Sequence, residues 1–224
     1  MTTVDHHIAV TASTTLQPVP LVPEIVLQCA ASAYDVWTLT SAGDESAPMP
    51  FWSFPWAGGQ AVARYVLDHP QTVHGRSVLD LAAGSGLVGI AAALAGASQV
   101  TANDIDPYAA AAQELNARAN GVTLIALTAD LLGEHIPDSD LSDAGLPVAD
   151  IVLAGDVCYE RELSDRMLAF LLRCRARGAD VLLGDPGRTY LPREHLTPVG
   201  SYEVPTTLEL EDRQLKSTTV FRLR

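Results

Sequence analysis

The chain has 224 residues, of which 48% are hydrophobic and 18% charged: enough apolar material for one domain with a sizeable core, and no sign of general disorder. There are 14 basic against 27 acidic side chains, a formal charge of −13. A surface that tracks phosphates needs clustered Lys and Arg, so the composition speaks against nucleic acid and anionic membranes as partners, and for a basic one.

Lys216 is the sole lysine, which removes P-loop, Schiff-base and most Ser-Lys chemistry. No Lys or Arg precedes Arg64, so neither a secretory n-region nor an Arg-rich transit peptide is expected. The uncharged stretch between Asp80 and Asp104 is long enough to raise the question of a membrane span. Its glycines and serines suit a buried strand, turn and helix better, and a soluble protein is expected. Cys29, Cys158 and Cys174 form no Cys-x-x-Cys pair, which suits a reducing cytoplasm. The six histidines are scattered, and no metal is expected.

In chain order, residues 1 to about 20 are rich in Thr, Ser and Pro and read as a loose arm. The short apolar runs between Glu24 and Thr40 predict one or two strands, and Ser41 to Pro50 predicts a loop. Phe51 to Gly59 is the most aromatic segment, and a helix follows from Gly59 to about Asp68, with Pro70 beyond its end. From Ser77 the chain alternates. Strands are predicted at 78–81, 99–102, 123–129, 150–154 and 180–183, with helices at 87–94, from Asp106-Pro107 to before Gly121, and at 163–177. Two final strands, 202–210 and 218–223, have no helix between them and should pair antiparallel. The fold class is therefore α/β: a Rossmann-like, doubly wound seven-stranded sheet, parallel except for a C-terminal antiparallel hairpin, with helices on both faces.

Gly84-Ser85-Gly86-Leu87-Val88-Gly89 is a Gly-x-Gly-x-x-Gly turn placed after a strand and opening a helix. Asp104 follows Gly84 by 20 residues, at the end of the next strand. Together they read as a site for an adenosine-containing cofactor, with the acid on a ribose diol. Asp80 decides between cofactors. A pyrophosphate would be repelled by a carboxylate at that place, whereas S-adenosylmethionine carries an α-ammonium and a sulfonium that negative charge attracts. Asp130, just past the third strand, can accept from an adenine amino group. Asp80, Asp104 and Asp130 thus close three successive strands on the carboxyl edge, where such sheets bind ligands. An NAD(P)-dependent oxidoreductase and a binding module without turnover remain as alternatives.

Pro50-Phe51-Trp52, Trp56-Ala57-Gly58-Gly59-Gln60, Asp80 to Gly86, Asn103 to Pro107, Gly155-Asp156-Val157-Cys158-Tyr159 and Gly184-Asp185-Pro186-Gly187-Arg188 occur in this order. Over about residues 50 to 190 this set resembles the seven-strand protein-lysine methyltransferases that modify the β-subunit of electron-transfer flavoprotein. It resembles the ribosomal protein L11 methyltransferases more distantly. The resemblance implies that residues 46–224 form a class I methyltransferase domain, preceded by an N-terminal arm with short strands over residues 1–45. It implies S-adenosyl-L-methionine as cofactor, held by Trp56, Gly58, Gly59, Asp80, Ala82, Gly84, Gly86, Asp104, Ile105, Asp130 and Gly155. Ala82 is a departure, since the family usually has glycine there, and a slightly tighter cofactor loop is expected.

The family's catalytic Asp-x-x-Tyr/Phe motif is matched by Asp156 and Tyr159. Asp156 would hold the lysine ammonium and orient the amine, and Tyr159 would wall the lysine channel. The substrate implied is a basic, lysine-bearing protein, the flavoprotein β-subunit first; another protein such as L11, or a small amine, is the alternative. Arg188 is open between an acidic group on the substrate and a brace for Asp185.

Overall fold

The computed structural model describes residues 3–41, 44–45, 47–133, 149–206 and 213–224. The elements in order are α1 (Thr3–Ser13), β1 (Thr15–Val19), β2 (Val22–Cys29), α2 (Ala33–Thr40), α3 (Ala57–Asp68), β3 (Ser77–Leu81), α4 (Leu87–Leu94), β4 (Gln99–Asn103), α5 (Pro107–Ala119), β5 (Ile125–Leu127), β6 (Ile151–Gly155), α6 (Arg161–Ala176), β7 (Asp180–Asp185), β8 (Leu196–Pro205) and β9 (Leu215–Leu223).

β3 to β9 form one sheet in the order β5-β4-β3-β6-β7-β9-β8. The first five strands run parallel, and β9 is antiparallel to both β7 and β8. The central strands are short apolar runs because both of their faces are covered. β6 shows it: Val152 and Ala154 face one core with Met167, Phe170 and Leu171 of α6, while Ile151 and Leu153 face another with Val62 and Val66 of α3 and Val88 of α4. Burying each such Val or Leu contributes roughly 1.5–3 kcal/mol. The strand order reverses between β3 and β6, and the crevice there opens at the carboxyl ends of the strands.

The N-terminal region departs from the sequence reading. Residues 3–13 are a helix rather than a loose arm. Its Thr- and His-bearing sequence is a weak helix former, so packing supplies the order. Val10 is buried with Ala109 and Ala112 of α5, His7 Nε2 lies 2.9 Å from Glu114 Oε2, and the His6 ring meets Tyr108 at 4.7 Å. β1 and β2 form a separate antiparallel hairpin. Asn120 pins it to α5 by receiving the Val26 N–H (3.0 Å) and donating to the Val26 carbonyl (2.7 Å), as a neighbouring strand would. The run Val36 to Leu39 lies in α2, not in a strand, because Ser32 caps a helix there and accepts the Asp35 N–H at 3.3 Å.

At the other end, β8 begins at Leu196, earlier than the predicted Tyr202. Pro198 and Gly200 argue against a strand in sequence, yet β8 is an edge strand and absorbs both at a register shift. Residues 207–210 of the predicted strand lie outside the described residues. β5 is only three residues long, against the seven expected.

Candidate active site

A cleft of about 460 Å³ lies across the carboxyl ends of β3, β4 and β6. Trp56, Gly59, Asp80, Ala82, Gly84, Asp104, Ile105, Asp130, Gly155, Asp156 and Tyr159 all line it. Gly58 and Gly86, expected in the same set, are not among its lining residues.

The turn after β3 is built on left-handed backbone. Ala82 (φ 52°), Gly84 (φ 51°) and Gly86 (φ 79°) all have positive φ, and Gly86 caps α4. Ala82 therefore holds a conformation that favours glycine, which explains the residue usual in the resembling family. The backbone of Ala82 is left-handed as a glycine's would be. Asp104 reaches back from the end of β4 and accepts the Gly84 N–H at 2.9 Å and the Asp106 N–H at 3.0 Å. Its carboxylate is thereby fixed at the cleft wall, and burial raises its pKa. Asp80 is buried on β3, where its Oδ2 accepts the Gly89 N–H of α4 at 2.8 Å. Burial, with Asp104 nearby, pushes its pKa up to about 7. A cation placed beside Asp80 would restore its charge.

Asp130 is exposed and accepts the Leu132 N–H at 2.9 Å. Arg166 of α6 pairs with it at 3.2 Å and shares the cleft. That arginine was not identified from sequence, because nothing local links residues 36 apart; only the meeting of β5's exit with α6 does so.

Asp156 follows β6 with φ 57°, a strained setting for a non-glycine residue, and is buried. Its Oδ2 accepts the N–H groups of Gly58 and Gly59 (3.3 Å to the latter), so it caps α3, whose own cap residue Trp56 offers no side-chain bond. Its Oδ1 accepts from Arg188 Nη2 at 2.7 Å and Nε at 3.1 Å. Burial pushes the Asp156 pKa up to about 6 against the pull of Arg188. Arg188 thus braces Asp156, whereas among the described residues Asp185 receives backbone N–H groups, from Gly187 and Arg188. Gly58 allows this approach: a Cβ there would stand 2.6 Å from Asp156 Oδ2 and collide with the Gly184 carbonyl. Gln60 of the same motif is structural, tying the Leu21 N–H (3.1 Å) and the Pro55 carbonyl (2.7 Å).

Above this base stand three partly exposed rings. Phe51 meets Trp56 and Tyr159, each at 5.7 Å between centroids. Tyr159 is 48% exposed and rests on the Phe51 ring at the cleft.

The sequence pattern of the ribosomal protein L11 methyltransferase (PrmA) family matches residues 65–155. Over longer spans the chain is similar to proteins named electron transfer flavoprotein beta subunit lysine methyltransferase. It is 36% identical to the one from Danio rerio, covering 90% of this chain and 76% of the relative, and 37% identical to the one from Xenopus laevis, covering 90% and 80%. Among solved structures, a magnesium protoporphyrin IX methyltransferase from Synechocystis, with bound SAM, aligns over 87% of this chain and 92% of its own at 18% identity, with a TM-score of 0.52. That likeness is one of fold.

Proposed function

The chain belongs to the electron transfer flavoprotein beta subunit lysine methyltransferase family, and from that premise we propose that its substrate is a lysine of the flavoprotein β-subunit. It is an S-adenosylmethionine-dependent protein-lysine methyltransferase. The cofactor supplies an electrophilic methyl group on a sulfonium. The observation that carries the substrate reading is identity of 36–37% over 90% of the chain to relatives named for that substrate. The L11 family match, by contrast, spans residues 65–155, the cofactor-binding half, which any methyl acceptor would share.

The residues fit the cofactor. Asp104 presents a carboxylate already oriented by two backbone N–H groups, the geometry a ribose diol needs. Asp80 suits the α-ammonium, and Asp130 with Ile105 suits the adenine end. On the substrate side, lysine is protonated at pH 7, and removing that proton unaided costs about 4.6 kcal/mol from a reference pKa near 10.4. Asp156 and Tyr159 act at this end. Asp156 is held on both oxygens, so its part is to fix the geometry of the acceptor site rather than to shuttle a proton. Positioning of reacting groups can contribute roughly 7–11 kcal/mol, more than base catalysis would have to supply. The three cysteines form no disulfide, which supports a reducing, cytoplasmic setting.

The test offers purified flavoprotein β-subunit and purified L11 protein side by side, at low and moderate salt. Methyl groups should appear on flavoprotein lysines by mass spectrometry, and the rate should fall as salt screens the −13 enzyme from a basic target. Mass gained by L11 alone would overturn the substrate reading and leave the methyltransferase.

A further inference from the structure

Gly84 and Gly86 leave the backbone on either side of Ser85 free to rotate, so the turn keeps one orientation only if something outside it holds its peptides. Asp104 holds the Gly84 N–H. The carbonyls are held from α5, by two buried amides three residues apart on one helix face. Gln113 Nε2 donates to the Gly84 carbonyl at 3.2 Å, and Asn116 Nδ2 donates to the Ser85 carbonyl at 2.9 Å. Gly86 lies against Gln113, where a Cβ would stand 3.1 Å from Cγ. In a trans peptide the N–H points opposite to the C=O, so the Ser85 N–H is turned away from α5. The following peptide is fixed at both ends, since the Gly86 N–H reaches the Ala83 carbonyl at 2.8 Å.

Neither amide is among the residues lining the cleft, whereas Gly84 and Ser85 are. Each amide nonetheless does more than fill the core. Gln113 leaves its Oε1 buried and without a partner among the described residues, a cost that an apolar side chain of the same length would avoid. Asn116 uses its other end as well, and its Oδ1 accepts the Gln28 N–H of β2 at 2.7 Å. One turn further on, Asn120 binds both backbone groups of Val26 and the Asn116 carbonyl. The hairpin and the cofactor turn therefore meet at Asn116.

We propose that Gln113 and Asn116 are positioning residues for the cofactor, setting the Gly84 and Ser85 peptides, and that through Asn116 the β1–β2 hairpin supports the same site. This rests on the S-adenosylmethionine reading above. The hairpin is then a component of the methyltransferase unit, not an arm beside it.

The experiment uses the full chain and titration calorimetry with S-adenosylhomocysteine, beside denaturant melts. Gln113→Met should weaken binding about three- to ten-fold, the weight of one hydrogen bond. Its stability should change little, because the orphan oxygen goes with the bond. Asn116→Ala should weaken binding at least as much and lose stability, since it strands the Ser85 carbonyl and the Gln28 N–H together. Asn120→Ala should lose stability yet keep its affinity within about two-fold. In turnover, Gln113→Met should raise the KM for S-adenosylmethionine with kcat within about two-fold. Wild-type affinity in Gln113→Met overturns the proposal, and that variant decides the matter if Asn116→Ala does not fold. Equal weakening by Asn120→Ala and Asn116→Ala also overturns it, because the effect would then be a general loosening of α5. A wild type that binds S-adenosylhomocysteine but methylates no flavoprotein lysine would instead overturn the substrate reading, and the calorimetric contrast would still support the positioning role.

Discussion

Arg188 donates from two of its nitrogens to a single oxygen of Asp156, at 2.7 and 3.1 Å, across 32 residues of sequence. The other oxygen caps α3. One buried carboxylate thereby joins the exits of β6 and β7 to the start of the helix behind them. It is the point at which fold and acceptor site are the same object.

Removing either partner should therefore cost stability as well as turnover. Arg188→Leu leaves Asp156 buried with its Oδ1 unpaired, and breaking a buried pair from one side costs on the order of 3 kcal/mol. Asp156→Asn turns an acceptor into a donor facing either Arg188 or the Gly58 N–H. Denaturant melts should show both losses, and turnover of Asp156→Asn should fall at least ~10-fold, a loss of 1.4 kcal/mol or more in transition-state stabilisation. Cofactor affinity, measured by calorimetry on folded protein, should change little. An Asp156→Asn enzyme with full turnover would reduce the carboxylate to a helix cap.

The cofactor wall answers to Asp104. Asp104→Ala removes the ribose acceptor and frees the Gly84 N–H, so S-adenosylmethionine affinity should fall by roughly 1.5–3 kcal/mol for each charge-assisted bond lost. Calorimetry with S-adenosylmethionine and, in parallel, NADH reads this directly. Tight NADH binding would revive the oxidoreductase reading.

The adjacent glycines of α3 should behave oppositely. Gly58→Ala drives a methyl into the Gly184 carbonyl and to 2.6 Å from Asp156 Oδ2, neither of which can move freely. A loss at or above the upper end of about 1–3 kcal/mol is expected. Gly59→Ala meets nothing nearer than 3.9 Å, and alanine is the better helix former by up to about 1 kcal/mol. Its stability should be unchanged or higher. Two equal losses by chemical denaturation would contradict the packing described.

These contrasts also mark what was legible in the sequence. The parallel strands, the glycine turn and the Asp106-Pro107 helix start were readable because their signals are local: apolar runs, left-handed glycines, a cap followed by proline. The acids at 80, 104 and 130 were readable because strand ends in such a sheet share one edge. Helix α1 was not, since its order comes from Val10, His6 and His7 resting on α5, about a hundred residues away. Nor was the Arg188–Asp156 bond, because the sequence offered Arg188 a nearer partner in Asp185 and the backbone satisfies one Asp185 oxygen instead. The exchange of Ala82 for the family's glycine was visible, but its meaning lay in a φ of 52°.

That angle gives a further expectation. Ala82 is exposed and left-handed, a conformation costing a non-glycine residue roughly 1–2 kcal/mol, part of which glycine's greater unfolded-state freedom offsets. Ala82→Gly should leave a net gain of up to about 1 kcal/mol in a denaturant melt, with turnover retained. A loss of stability would mean that the methyl group makes a contact worth more than the strain.

The last expectation concerns pH and Asp80. Its ordinary pKa of 3.8 is pushed up to about 7 by burial, with Asp104 adding repulsion and the Gly89 N–H opposing both. A carboxyl whose folded pKa is raised favours the folded state when protonated. Its stabilising share is complete below pH 3.8 and is lost as pH rises toward about 7. The slope is at most about 1.4 kcal/mol per pH unit for one group. The cofactor-free protein should therefore lose stability between about pH 4 and 7, and Asp80→Asn should flatten that slope by one group's share. Asp104, Asp106, Asp156 and Asp185 are raised in the same direction and keep the remainder. Binding should run the other way. A cofactor whose ammonium rests by Asp80 favours the ionised carboxylate, so its affinity should rise from pH 5 to 7 in the wild type and rise less in Asp80→Asn. Calorimetry at several pH values measures both proteins, and identical profiles would remove Asp80 from the cofactor's ammonium end.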